Sequence, residues 1–92
     1  MAEAYPLPKW GVTMEEGTII EWTVQPGEAV VVDQVLAQVE TDKISVEYVS
    51  PIDGFIAAHL VEEGTTVACG EDIVVIATDQ QDYDEYRSKH GG

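Results

Sequence analysis

The feature that most constrains this chain is an internal repeat. Residues 17–42 align with residues 54–79 without a gap, at an offset of 37. Seven of the 26 positions are identical: Gly17/Gly54, Ile19/Ile56, Val24/Val61, Gly27/Gly64, Val30/Val67, Thr41/Thr78 and Asp42/Asp79. Ordinary residue frequencies give about one or two such matches. Leu36/Ile73 and Val39/Ile76 add apolar correspondences. A half of this size has one apolar face and nothing of its own to cover it. The repeat therefore predicts two similar half-sheets closing on one another about a pseudo-twofold axis.

Short apolar runs rich in valine, separated by turn residues, predict strands at residues 5–9, 17–24, 29–32, 35–40, 44–49, 54–60, 66–67 and 73–77. The breaks fall at Pro26-Gly27, Asp33, Asp42-Lys43, residues 51–54, Gly64 and Gly70. No stretch before residue 80 carries a helical period of apolar residues. The expected fold is all-β: a flattened barrel or sandwich of two four-stranded antiparallel sheets with internal pseudo-twofold symmetry. Residues 1–79 form the folded body. Residues 80–92 contain no aliphatic side chain and read as a flexible acidic tail or linker, a short helical stub at best.

Ninety-two residues allow one domain. The formal charge of −14 comes from eighteen acidic and four basic residues. A phosphate backbone needs a basic stripe, and Lys9, Lys43, Arg87 and Lys89 do not make one, so neither nucleic acid nor an anionic membrane is an expected partner. Apolar runs are too short to span a bilayer, and the first residues lack the pattern of a secretory leader. One cysteine, Cys69, excludes an internal disulfide and a cysteine-based zinc site. The expected compartment is reducing and aqueous: the cytoplasm of a bacterial type, or a mitochondrial matrix. Cys69 aligns with Val32 and reads as a small buried residue. His59 aligns with Trp22 inside a strand, and neither it nor His90 has metal-ligand company.

Residues 35–49 are the most informative segment. With Asp42-Lys43 as a two-residue turn, Ala37 faces Tyr48, Val39 faces Val46 and Thr41 faces Ile44 on one side. Gln38/Glu47 and Glu40/Ser45 fall on the other. The first side is expected to face the core and the second water, and a one-residue slip would destroy that separation. The turn itself breaks a rule. Two-residue hairpin turns favour Asn-Gly or Asp-Gly, because both central residues need positive φ, yet Lys43 stands at the second position. Departures from local rules concentrate at functional sites.

The segment Glu40-Thr41-Asp42-Lys43-Ile44-Ser45-Val46 resembles the modification hairpin of lipoyl domains, the carrier domains of 2-oxo acid dehydrogenase complexes. Leu7-Pro8-Lys9-Trp10-Gly11-Val12-Thr13-Met14-Glu15-Glu16-Gly17 resembles the start of the same domain, closest to the pyruvate or acetoin type. Pro26-Gly27-Glu28 and Ser50-Pro51-Ile52-Asp53-Gly54 match the family's turns, and the resemblance covers residues 5–79. It implies that Lys43 carries lipoic acid in amide linkage. Glu40 and Asp42 would help a lipoylating enzyme recognise the tip. Residues 11–16 would form an exposed loop near that tip, making Trp10, Thr13 and Met14 candidate recognition residues for a thiamine diphosphate-dependent decarboxylase. The tethered group would carry acyl groups and electrons between that decarboxylase, an acyltransferase catalytic domain and a flavin-dependent dihydrolipoyl dehydrogenase. The domain would be a monomeric carrier without catalytic residues of its own, possessing the raised effective concentration of a tethered reactant. Two alternatives share the fold: a biotinyl carrier and an unmodified acidic interaction module. Biotinyl domains present their lysine between methionines, whereas Lys43 stands between Asp42 and Ile44.

Overall fold

The computed structural model describes residues 2–9, 15–41 and 44–89. Among these residues eight strands precede one helix: β1 (Glu3–Pro6), β2 (Glu16–Trp22), β3 (Ala29–Val30), β4 (Val35–Glu40), β5 (Ser45–Val49), β6 (Gly54–His59), β7 (Thr66–Ala68), β8 (Asp72–Ala77) and α1 (Gln80–Lys89). The strands make two antiparallel sheets of four, ordered β1–β8–β6–β3 and β5–β4–β2–β7. They face each other as a sandwich, as the repeat predicts.

An offset of 37 converts β2, β3 and β4 into β6, β7 and β8, and the sheet orders superpose with β5 in the place of β1. The irregularities repeat too. The β2–β4 register shifts between Ile19 and Glu21, and the β6–β8 register shifts between Ile56 and Ala58. Each half lends one outer strand to the other: β3 pairs with β6, and β7 pairs with β2. Reciprocal bonds lock the exchange. Gly27 N–H donates to the Ile56 carbonyl at 2.7 Å, and Gly64 N–H donates to the Ile19 carbonyl at 2.6 Å. Ile56 and Ile19 N–H donate back to the Glu28 and Thr65 carbonyls, both at 3.0 Å.

Sequence chemistry explains the turns. Gly70 has φ +94°, and its repeat counterpart Asp33 has φ +71°. Aspartate is among the few residues other than glycine that tolerate this region. Gly54 is required by close approach: a Cβ there would lie 2.1 Å from the Ala77 carbonyl oxygen on the paired strand.

Ile19, Leu36, Val39, Ile56, Ile73 and Ile76 fill the space between the sheets and are fully buried. Trp22 and its counterpart His59 straddle the pseudo-twofold, their rings stacked 4.0 Å apart and 8° from parallel. Trp22 Nε1–H donates to the Val61 carbonyl at 3.0 Å. His59 makes the matching bond to the backbone of Val24, the counterpart of Val61. Its Nε2 is buried and has no hydrogen-bond partner among the described residues. Burial lowers the His59 pKa, outweighing the bond to Val24 and the nearby Glu63 carboxylate, which both favour the cation. That carboxylate accepts from the Trp22 backbone N–H at 2.9 Å.

Three local expectations change. The first strand is Glu3–Pro6 rather than residues 5–9. Pro6 and Pro8 have no N–H for a continuing ladder, the register shifts between Tyr5 and Pro6, and Leu7 N–H bonds instead to the Glu71 carbonyl at 2.9 Å. Cys69 is half-buried rather than buried. It packs at the core's margin, with Sγ 3.8 Å from the Pro8 carbonyl oxygen.

The third change is the largest. Over residues 80–89 the expected flexible acidic tail or linker is instead the helix α1, packed on the outside of the β1–β8–β6–β3 sheet. Asp79 caps it, its Oδ1 accepting from Asp82 N–H at 2.8 Å. Asp82 Oδ2 reaches back to Thr78 N–H at 3.0 Å and lies 3.3 Å from Thr78 Oγ1. Tyr83 packs with Ala57, Val75 and Ala77, and Phe55, Ala58 and Tyr86 border the cluster. The Arg87 guanidinium lies 5.7 Å from the Tyr83 ring centre.

Two predictions follow from these contacts. His59 has its pKa lowered on folding, so the folded state binds its proton less readily than the unfolded chain. Its stabilising contribution is complete above the unfolded value near about 6.5 and is lost as pH falls through and below it. Urea unfolding from pH 7.5 to 5 is expected to show stability falling with acid in the parent and a flatter profile in His59→Phe. Equal profiles would remove His59 as the cause. Asp79→Ala is expected to lower stability by about 1 kcal/mol through loss of the cap, read as a lower thermal midpoint with helical signal lost first.

Candidate functional site: the β4–β5 hairpin

The β4–β5 ladder has the register expected from side-chain chemistry. Ala37 pairs with Tyr48, Gln38 with Glu47, Val39 with Val46 and Glu40 with Ser45. Ala37, Val39 and Tyr48 are buried, Val46 is half-buried, and Glu40, Ser45 and Glu47 are exposed. Gln38 Nε2 lies 3.4 Å from Glu47 Oε2 across the outer face. Alternation with a period of two puts the apolar set inward, and the cross-strand pairs hold it there.

The neck of the hairpin is bonded more densely than a plain ladder. Thr41 N–H donates to the Ile44 carbonyl at 2.8 Å. Thr41 Oγ1–H donates to the same carbonyl at 2.9 Å. Ile44 N–H donates to Thr41 Oγ1 at 3.1 Å. Ile44 itself is 56% exposed, which corrects the expectation that its side chain faces the core. The last ladder pair is Glu40–Ser45, so Ile44 stands just before β5 begins, beyond the paired part of the hairpin.

Tyr48 anchors the base of the hairpin. Burial pushes its hydroxyl up to about 12, with Tyr5 adding to the effect. Tyr5 occupies the corresponding place in the other sheet, opposite Val74, as Tyr48 stands opposite Ala37. Its own hydroxyl is raised by burial and then by Glu3.

Of the site residues expected from sequence, Glu40 is the last residue of β4 and is exposed. Lys43, Asp42, Trp10, Thr13 and Met14 lie outside the described residues. What is described are the flanks. Thr41 and Ile44 are bonded together on either side of the Asp42-Lys43 span. Of the expected 11–16 loop, Glu15 accepts from Cys69 N–H at 2.9 Å through its carbonyl, and Glu16 already belongs to β2, paired with Ala68. Thr41 as a clamp escaped sequence reasoning, because side-chain bonds to a neighbour's backbone leave no periodic trace. The α1 face left a readable trace: Val75 and Ala77 are apolar where their counterparts Gln38 and Glu40 are polar. A strand that is apolar on both faces needs two covers.

Two interlocked half-sheets, one of them ending in the β4–β5 hairpin, define a small β-sandwich of the cofactor-carrier class. The chain matches the Biotin_lipoyl family, described as biotin-requiring enzyme, over residues 3–76. It is similar to the dihydrolipoyllysine-residue acetyltransferase component of the pyruvate dehydrogenase complex of Staphylococcus epidermidis. Identity there is 37% over 92 residues, covering 100% of this chain and 21% of that protein. The corresponding component of Staphylococcus aureus strain N315 is 42% identical over 83 residues, covering 89% of this chain and 19% of that one. The chain thus spans about a fifth of the length of the curated relatives it matches. Its fold is similar to the solution structure of the lipoyl domain of the 2-oxoglutarate dehydrogenase complex from Azotobacter vinelandii. The TM-score is 0.67 and the identity 33%, covering 83% of this chain and 96% of that domain. The chain belongs to the biotinyl/lipoyl carrier family, and its fold is that of a lipoyl domain.

The two sides of the hairpin make unequal demands on the fold. Tyr48→Ala is expected to destabilise by about 3 kcal/mol, as loss of a buried aromatic does. Ile44→Ser should stay within about 0.5 kcal/mol. Chemical denaturation of both variants checks the assignment, and comparable losses would contradict it.

Proposed function

We propose that this chain is a lipoyl carrier domain of a 2-oxo acid dehydrogenase complex, with lipoic acid held in amide linkage on Lys43. The observation that carries the reading is the β4–β5 hairpin. Its ladder and its Thr41–Ile44 neck bracket the Asp42-Lys43 span, on a fold that covers nearly the whole of a lipoyl domain. The names of the relatives favour lipoate over biotin, and Lys43 lacks flanking methionines. The surroundings suit such a group. Glu40, Ile44, Ser45 and Glu47 are exposed, so an attachment between Thr41 and Ile44 is flanked by exposed side chains. Exposed Glu40, together with Asp42, would serve a lipoylating enzyme as a recognition mark. Trp10, Thr13 and Met14 would serve a thiamine diphosphate-dependent decarboxylase in the same way.

A dithiolane in amide linkage supplies a redox-active acceptor for acyl groups. The chain's own part is presentation. The sandwich supplies a rigid base, the ladder sets the height of the hairpin above it, and the neck keeps its two strands together. On this reading the domain contributes no catalytic group. The decarboxylase, the acyltransferase and the flavin-dependent dehydrogenase act on it in turn in the cytoplasm, with tethering supplying effective concentration. The relatives' place in the pyruvate complex favours pyruvate as the 2-oxo acid.

Incubation with a lipoylating enzyme, ATP and lipoate is expected to add one lipoyl mass to the intact chain. Lys43→Arg should block that addition with an unchanged far-ultraviolet spectrum and thermal midpoint. A lipoyl mass on Lys43→Arg would move the site elsewhere, and biotin uptake in place of lipoate would assign the biotinyl branch of the family.

A further inference from the structure

The geometry assigns Thr41 as the positioning residue of this carrier: its hydroxyl, bonded to both backbone groups of Ile44, closes the neck of the hairpin that presents Lys43. The inference rests on the carrier reading above and adds to it a residue and a physical role.

The Thr41 side chain does something its neighbours in the ladder do not. Along β4 and β5 each cross-strand pair is held by the backbone. At the neck, Thr41 Oγ1 donates to the Ile44 carbonyl at 2.9 Å and accepts from Ile44 N–H at 3.1 Å. The backbone bond from Thr41 N–H to the Ile44 carbonyl, at 2.8 Å, completes the set. One hydroxyl thus satisfies the donor and shares the acceptor of the residue directly after Lys43.

The bonds flank an unusual turn sequence. Two-residue turns favour Asn-Gly or Asp-Gly, and the Asp42-Lys43 span lacks that glycine. A neck closed by a side chain as well as by backbone gives the strand ends on either side of that span additional support. Exposed Ile44 fits the same picture. It contributes little to the core, and its backbone serves the clamp.

The repeat supplies an internal comparison. Thr78 is the counterpart of Thr41, and its N–H and hydroxyl both turn to the Asp82 carboxylate, at 3.0 and 3.3 Å. There the Thr-Asp pair starts α1. The same two residues open a helix in one half and a hairpin tip in the other. The hydroxyl's partner differs between them: a carboxylate on the helix, or the backbone of the residue after the lysine. A β-branched residue at position 41 would suit the strand end equally well as valine, so strand propensity does not select the hydroxyl.

The test compares Thr41→Val, which keeps shape and loses the hydroxyl, with Thr41→Ser, which keeps the hydroxyl, and with Thr41→Ala as a second deletion. Lipoylation of each full chain by a purified lipoylating enzyme is followed by intact mass, with kcat and KM separated. Exchange of the Ile44 amide is followed by NMR. Thr41→Val and Thr41→Ala are expected to lower kcat/KM about five- to tenfold, the scale of one net hydrogen bond. The loss should lie mainly in KM, with faster Ile44 exchange and nearly unchanged thermal midpoints. Thr41→Ser should restore both readouts. Parent-like lipoylation in Thr41→Val, or a Thr41→Ser as slow as Thr41→Val, would overturn the inference. A parent chain that takes no lipoate overturns the carrier reading itself. Unaltered Ile44 exchange in Thr41→Val then overturns the clamp independently.

Discussion

Everything in this molecule depends on a reciprocal loan between its halves. β3 completes the sheet built mainly from the second half, and β7 completes the sheet built mainly from the first. The Gly27–Ile56 and Gly64–Ile19 hydrogen bonds are the hinges of that exchange. Neither half can fold and then dock, because each lacks an outer strand until the other is present. Cooperativity is therefore built into the topology, and the small core is shared rather than divided. The stacked Trp22–His59 pair seals the junction where the halves meet. An imidazole is tolerated there because one nitrogen has the Val24 backbone as partner and burial disfavours the charged ring.

On that base the hairpin is a consequence of register. Once Ala37, Val39 and Tyr48 point inward, the ladder leaves Glu40, Ser45 and Glu47 outside and brings the chain to Thr41 and Ile44 at its end. The Thr41 hydroxyl then takes over from the ladder. Order thus passes from the core through paired strands to side-chain bonds, each stage using a different interaction.

The pseudo-symmetry is broken where the two Thr-Asp pairs are used. In the second half the pair starts α1, which lays Tyr83 over Ala57, Val75 and Ala77. In the first half the corresponding positions are Ile20, Gln38 and Glu40, and among the described residues no helix packs over them. Ile20 is 49% exposed. The hairpin belongs to this second sheet.

Much of this was written in the chain. The repeat set the two half-sheets, and alternation along residues 35–49 set the register and the inward set. These are local or periodic properties, and hydrophobic patterning encodes them directly. Tertiary structure alone decided the rest. α1 forms on a segment without aliphatic residues because two tyrosines and a capping aspartate suffice once an apolar sheet face is there to receive them. Ile44 is exposed because it stands beyond the last ladder pair of the hairpin. Thr41 closes the neck because its hydroxyl meets the backbone of Ile44 across the hairpin. Each of these depends on a surface or a partner brought close by folding, and no local pattern records what will stand opposite a side chain in space.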